Sequence, residues 1–281
     1  MAWILVAPVL IIRLLTSLYP MIMTVVYSLL DYNLIHQTKE FVGLNNFKQM
    51  LSDFSLHTTL SFTFIFTLIS IILHIVIGVA LGLLLNVQFR GKKFLRSIVL
   101  IPWALPVIVA GIASTWMFNK DYGMVNDLLF RLVGIKLDWL VAPFSARIAV
   151  ILTDVWKSAP FFSILILSGL QSIEHEVYES ARIDGASKWK TFWYITIPHI
   201  LRLIVVLTIF FSLWRLTTFE LIYAMTQGGP GNATSLLSYI IYTETFKNLN
   251  LGYASSISVV LCLFMVIIAL LGYTVIKRLR Y

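Results

Sequence analysis

Between Asp53 and Arg90 the chain carries no Asp, Glu, Lys or Arg. An apolar run of that length is far too long for a strand and exceeds the ~20 residues a helix needs to cross a hydrocarbon core. A soluble fold cannot hide it, because a domain of this size still needs a polar surface. The rest of the chain agrees. Of 281 residues 59% are hydrophobic and only 12% charged, with a mean hydropathy of +0.89, whereas soluble domains carry about 25% charged residues. The bilayer is therefore the solvent. That sets aside soluble enzymes and nucleic-acid modules, even with a net charge of +8.

Six segments have the length and composition of membrane spans: about 3–30, 54–88, 97–118, 148–170, 199–226 and 251–276. The expected fold class is an all-α membrane protein with six transmembrane helices in a single domain over 1–281. Basic residues set its orientation. Arg90, Lys92, Lys93 and Arg96 crowd one short link, Arg182, Lys188 and Lys190 a second, and Lys277, Arg278 and Arg280 close the chain. Alternating spans put all three groups on one side, and short basic loops stay inside, so both termini are expected in the cytoplasm. The first apolar segment lacks a basic leader and a small-residue cleavage site, so it reads as a span and not a signal peptide. Cys262 has no cysteine to pair with, and the five histidines show no ligand spacing. No catalytic, metal or cofactor residue is expected. Among the external links, "FVGLNNFKQML" spaces Phe41, Leu44, Phe47 and Leu51 for a short surface helix.

The segment 173–198 lies between two spans on the basic side. Its first part, 173–184, reads as a helix with Glu near its start, which suits the positive end of the dipole. Gly185 suits the left-handed residue that stops a helix, and Ser187 can cap a second helix. On that second helix Trp189, Phe192, Trp193 and Thr196 share a stripe. Pro198 suits a break or a first helical turn. A surface loop with an amphipathic helix would explain this composition. The detailed spacing says more. Glu179, Ala181, Gly185, Ile195 and Pro198 fit the pattern E-A-A, three residues, G, nine residues, I-x-L-P, with Ser180 for the middle alanine and Ile197 for the leucine. This resembles the signature loop of binding-protein-dependent ABC importer permeases. Asp184-Gly185-Ala186 is similar to the D-G-A form common among sugar permeases. "FVGLNNF", "FRGKKFLRSIVLIPWALP", "VWKSAPFFSILILSGLQSI" and "LIYAMTQGGPGNATSLLSYIIYTETF" resemble successive stretches of the maltose-type carbohydrate permeases over nearly the whole chain. Arg202 stands where that family often has a second proline.

The resemblance implies a type I ABC importer permease in the cell membrane of a prokaryote, passing a sugar or oligosaccharide. It implies a second homologous permease, two ATPase subunits and an extracytoplasmic solute-binding protein as partners, and no nucleic acid. No G-x-x-x-x-G-K-[ST] phosphate loop occurs in the chain, so ATP and Mg would bind in the partner ATPase subunits. Glu179, Ser180, Ala181, Asp184 and Gly185 would form the docking surface, with Ala181 letting the two backbones approach and Gly185 setting the turn.

Charged residues inside spans are costly and mark protein or water contacts. Asp154 and Lys157, three apart, can pair on one helix face or line a pathway. Arg215 and Glu220, five apart, do not share a face well and call for separate partners, structural or pathway. Arg13 can snorkel to an interface or point inward. Trp214 and Tyr223 are the aromatic pathway candidates, although such residues also gather at interfaces. Gly228, Gly229 and Pro230 form a tight turn that the resemblance puts at the outer mouth. Two rivals fare worse. An ion-coupled secondary transporter predicts inverted repeats and broken helices and leaves 173–198 unexplained. A lipid-processing enzyme needs a catalytic cluster that the chain lacks. Within the transporter reading, glycerol-phosphate or an acidic saccharide remains an alternative cargo.

Overall fold

A computed structural model describes residues 2–279, with side chains from residue 7 onward; Arg280 of the closing basic group lies outside the described residues. The described chain is mostly helical. It opens with α1 (Ala2–Arg13) and α2 (Tyr19–Ser28), joined through a π turn at Leu14–Leu18. A hairpin of β1 (Leu30–Asn33) and β2 (Thr38–Phe41) follows, antiparallel with Leu30 opposite Phe41. Then come α3 (Asn45–Ser52) and the long α4 (Phe54–Asn86). Beyond it lie α5 (Lys92–Val99), α6 (Ile101–Ala104), α7 (Val107–Met117), α8 (Met124–Val133) and α9 (Pro143–Gln171). The sequence continues with α10 (His175–Ile183), α11 (Lys188–Thr191), α12 (Ile197–Leu216), α13 (Glu220–Met225), α14 (Leu237–Tyr242) and α15 (Leu251–Arg278).

Five helical stretches are long and apolar enough to cross a membrane: Ala7–Ser28, Phe54–Asn86, Pro143–Gln171, Lys188–Leu216 and Leu251–Arg278. Two expected spans take another form. The segment 97–118 is not one helix, because Pro106 drives Leu105 into extended backbone (φ −66°, ψ 140°) and leaves α7 with eleven residues. The segment 199–226 also differs at both ends. Its helix begins at Lys188 and runs through Pro198, because a π turn at Phe192–Thr196 widens the chain just where proline cannot donate. It stops at Leu216. There Thr217 Oγ1 and Thr218 Oγ1 donate to the Trp214 carbonyl at 3.0 and 3.3 Å and satisfy the end of the helix.

The centre of the bundle is α4 packed on α9. Along α4, Gly78 lies under Phe162, and Gly82 lies against Ile166 and the Ser163 carbonyl. Small residues four apart let two backbones close in, the device by which apolar helices associate where lipid gives no hydrophobic drive. Phe62, Phe66, Ala149, Val150, Phe162 and Phe211 fill this core completely. The expected surface helix over "FVGLNNFKQML" is shorter and turned differently. Phe41 belongs to β2, and Leu44 and Leu51 are exposed, while Asn46 and Met50 face inward. The reason is polar: Asn46 Nδ2 donates to the Ser28 and Leu30 carbonyls at 2.9 and 2.8 Å, tying α3 to the end of α2.

Candidate functional site

Helix α10 stands beyond the ends of the long helices. Its C-terminus closes in a full Schellman motif. Gly185 takes φ +74°, Gly185 N–H donates to the Arg182 carbonyl at 3.1 Å, and Ala186 N–H to the Ala181 carbonyl at 2.9 Å. A Cβ at Gly185 would meet nothing within 4 Å, so only the backbone angle demands glycine. Ser187 then caps the next helix by accepting from Lys190 N–H. Glu179, Ser180, Asp184 and Gly185 are exposed, and Ile183 is 85% exposed. Ala181 is placed differently from its four neighbours in the expected docking surface. It is buried in its own chain, and Val177 and Tyr178 of the same helix pack against the core cluster that includes Leu170 and Ile200. The exposed side is therefore the one made by Glu179, Ser180, Ile183 and Asp184. His175 Nδ1 lies 3.1 Å from Glu179 Oε1 on the same helix.

A cavity of about 370 Å³ opens inside the bundle, lined among others by Trp103, Asp154, Lys157, Trp214, Arg215 and Glu220. Both breaks shape it. Lys157 does not pair with Asp154. Its Nζ donates to the Trp103 carbonyl at 3.1 Å, one of those freed from helical bonding by the break at Leu105–Pro106. Asp154 instead accepts from Arg215 across to α12. Both members of that pair are buried, at 3% and 4% exposure. Arg215 sits in the last turn of α12, where the dipole favours a cation, and its guanidinium lies 5.2 Å from the Trp214 ring centroid. His74 on α4 is wholly buried with Nε2 3.8 Å from Asp154 Oδ2, a neighbour that spacing along the chain does not reveal. Trp103 stacks on Phe161 at 4.4 Å. Tyr223 does not line the cavity; it packs on Phe219 and Tyr242. Two acids and two bases thus share one water-accessible space, which is neutral overall when all four are charged.

The turn at Gly228, Gly229 and Pro230 closes with Thr234 Oγ1 donating to the Gly229 carbonyl at 2.6 Å. Gly228 has φ +80°, and a Cβ there would lie 3.0 Å from Tyr239 Cε1. Among the described residues no group of His, Cys, Asp or Glu could hold a metal ion.

Long apolar helices surrounding a polar cavity, with a capped helix pair beyond their ends, define a membrane permease subunit. Residues 74–281 match the family model of the binding-protein-dependent transport system inner membrane component. The chain belongs to that family, as its signature loop indicates. It is 36% identical over 262 residues to the sulfoquinovosyl glycerol transport system permease protein SmoG of Agrobacterium fabrum, covering 93% of this chain and 85% of that one. It is 38% identical over 228 residues to the trehalose/maltose transport system permease protein MalF of Thermococcus litoralis, covering 79% and 75%. In fold it is similar to a chain of a bacterial alginate ABC transporter solved with a pentasaccharide-bound periplasmic protein. There the TM-score is 0.86 at 22% identity, over 99% of this chain and 94% of the other.

Proposed function

We propose that this chain is one half of a conduit through which an ATP-driven importer passes a neutral sugar or oligosaccharide. A binding protein on the outer face delivers the cargo, a second homologous permease completes the conduit, and two ATPase subunits sit beneath. The segments described above, including the broken 97–118 stretch, cross the membrane six times with both termini in the cytoplasm. The observation that carries the reading is α10. A helix of nine residues, closed by Gly185 and exposing Glu179, Ser180, Ile183 and Asp184, is a rigid knob with an apolar tip. Gripped in a groove of an ATPase, such a knob transmits closure of the nucleotide site to the helices above it as a body movement.

The cavity supports a neutral cargo. Asp154 already neutralises Arg215, and Glu220 faces the same space as Lys157. An anionic sugar would gain one cation and meet one free carboxylate. Trp103 and Trp214 offer rings for the C–H faces of a pyranose. Among the relatives, the name of the trehalose/maltose permease agrees with a neutral sugar, whereas that of the sulfoquinovosyl glycerol permease names a sulfonated, anionic one. Proteoliposomes containing both permeases, the ATPase and the binding protein test the proposal. Maltose or trehalose should accumulate only when ATP is supplied on the α10 side and binding protein on the other. Uphill uptake by this chain alone, or uptake indifferent to ATP, would overturn it.

A further inference from the structure

A second cavity of about 310 Å³ lies between the turn at 226–232, helix α14 and the start of α4. Its size falls at the lower end of the ~300–1,000 Å³ typical of small-molecule sites. Two features of its walls are not explained by folding alone. Gln227 and Asn232 both line it, and both hold left-handed backbone, at φ 49° and 61°. Glycine is the residue such angles favour, and this turn already uses glycine at 228 and 231. Side chains kept in disfavoured backbone cluster at ligand clamps. The second feature is Ser235. It is a lining residue, 1% exposed, and its buried hydroxyl has no hydrogen-bond partner, whereas buried polar groups are normally satisfied.

The opposite wall is built by a π turn at Thr243–Lys247, a feature frequent at functional sites. It sets Glu244, Lys247 and Asn248 on one side, with Asn248 Nδ2 donating to Glu244 Oε1 at 3.0 Å. The chemistry of these walls selects a ligand. Asn232 Nδ2 donates to Ser55 Oγ at 2.7 Å and Asn248 Nδ2 to Glu244, so these two carboxamides each keep one further N–H and an acceptor oxygen for a ligand, and Gln227 adds a third carboxamide. One carboxylate and one ammonium balance each other. An anion would meet Glu244, a cation would meet Lys247, and an apolar molecule would strand the amides. A neutral, hydroxyl-rich molecule satisfies them all, and Tyr239 supplies a ring edge. Tyr239 also stacks on Phe219 at 6.2 Å, and Phe219 lines the central cavity. The two cavities therefore meet across one aromatic pair.

We propose that this second cavity is a separate saccharide site, holding a neutral sugar at the mouth of the conduit before it enters the central cavity. Its position at the mouth rests on the function proposed above; the binding itself does not. The test uses the complete transporter in lipid nanodiscs without binding protein or nucleotide. Saturation-transfer NMR is recorded with maltose and trehalose, and with sodium glucuronate for comparison. At least one neutral disaccharide should receive saturation, and glucuronate should receive much less. Gln227→Gly together with Asn232→Gly suits the backbone and removes both amides. Loss of two hydrogen-bonding groups should weaken binding roughly tenfold or more, with Tm lowered no more than by Ser55→Ala, which breaks the same Asn232–Ser55 bond and keeps both amides. Glu244→Gln, which keeps the shape of the wall, should weaken it too. No saturation of either disaccharide, glucuronate equal to them, or binding unchanged in both variants would overturn the proposal. So would variants that weaken only docking of the binding protein, since the cavity would then be a protein contact. Failure of saccharide uptake by the wild-type transporter would instead strike the function proposed above.

Discussion

At the scale of single residues, the Asp154–Arg215 pair is the most consequential contact in the bundle. Two opposite charges buried together hold each other in place, but removing one strands the other in a low-dielectric interior. That loss costs about 3–5 kcal/mol, whereas replacing both partners with apolar residues is often neutral. Asp154→Leu should therefore sharply lower the Tm of the assembled transporter in nanodiscs, and Asp154→Leu with Arg215→Met should recover most of the loss. Equal destabilisation by the single and double variants would show that the pair is not coupled. Glu244 makes a second residue-level case, outside the long helices. Burial is the main cause raising its pKa above the ordinary 4.5, with Asp53 adding to the rise and the Asn248 hydrogen bond opposing it. A carboxyl with a raised folded pKa favours the fold when protonated, and that contribution is lost as pH climbs through the folded value. At neutral pH the buried charge thus works against stability. Glu244→Gln should raise Tm at pH 7, and its advantage should vanish as pH falls below 4.5. A residue kept at a stability cost fits a binding wall better than a structural one.

At the scale of elements, the contact between α4 and α9 decides whether the bundle closes. A Cβ on Gly82 would sit 2.9 Å from Ile166 Cγ2 and 3.2 Å from the Ser163 carbonyl, and backbone cannot swing aside as a side-chain tip can. Gly82→Leu should destabilise the folded subunit by about 1–3 kcal/mol through overpacking, read as a lower Tm of the purified transporter. An unchanged Tm would mean that the two helices part without penalty. "GVALG" at 78–82 announces this contact in the sequence, as two small residues four apart in an apolar helix, and hydropathy passes over it. The same averaging explains the third expected span. Pro102 and Pro106 are visible within 97–118, but a window of apolar residues does not register that the second forces its neighbour out of helix. Likewise, the ends of the 199–226 segment depend on a π turn and on threonine hydroxyls folding back, which no periodicity reports. The Schellman stop at Gly185 is legible because one residue type, glycine, carries it alone. For Lys157 and Asp154 the sequence leaves pairing and a pathway position both open for the opposite reason: their partners, Trp103 and Arg215, come from other helices, and separation along one helix says nothing about them.

At the scale of the whole molecule, the coupling proposed for the nine-residue α10 requires a mechanical connection to the long helices. That connection is short. Ala181 is buried, Val177 and Tyr178 pack onto the core cluster with Leu170 and Ile200, and Tyr178 Oη lies 3.2 Å from Thr196 Oγ1 in the π turn that leads into α12. Force on α10 therefore reaches both α9, which carries Asp154, and α12, which carries Arg215, the two walls of the central cavity. Rigidity at the Gly185 turn is what keeps α10 in register with α12. Gly185→Val leaves the surrounding space open, since no atom lies within 4 Å of the new Cβ, yet φ +74° is disfavoured for a β-branched residue by about 1–2 kcal/mol. The turn should relax, while the long helices, with none of their packing touched, stay folded. In proteoliposomes with all subunits present, this variant should lose no more than a few degrees of Tm and hydrolyse ATP while moving fewer sugar molecules per ATP. A variant with the wild-type ratio of sugar moved to ATP consumed would mean that the turn transmits nothing, and that the knob couples by some other edge or not at all.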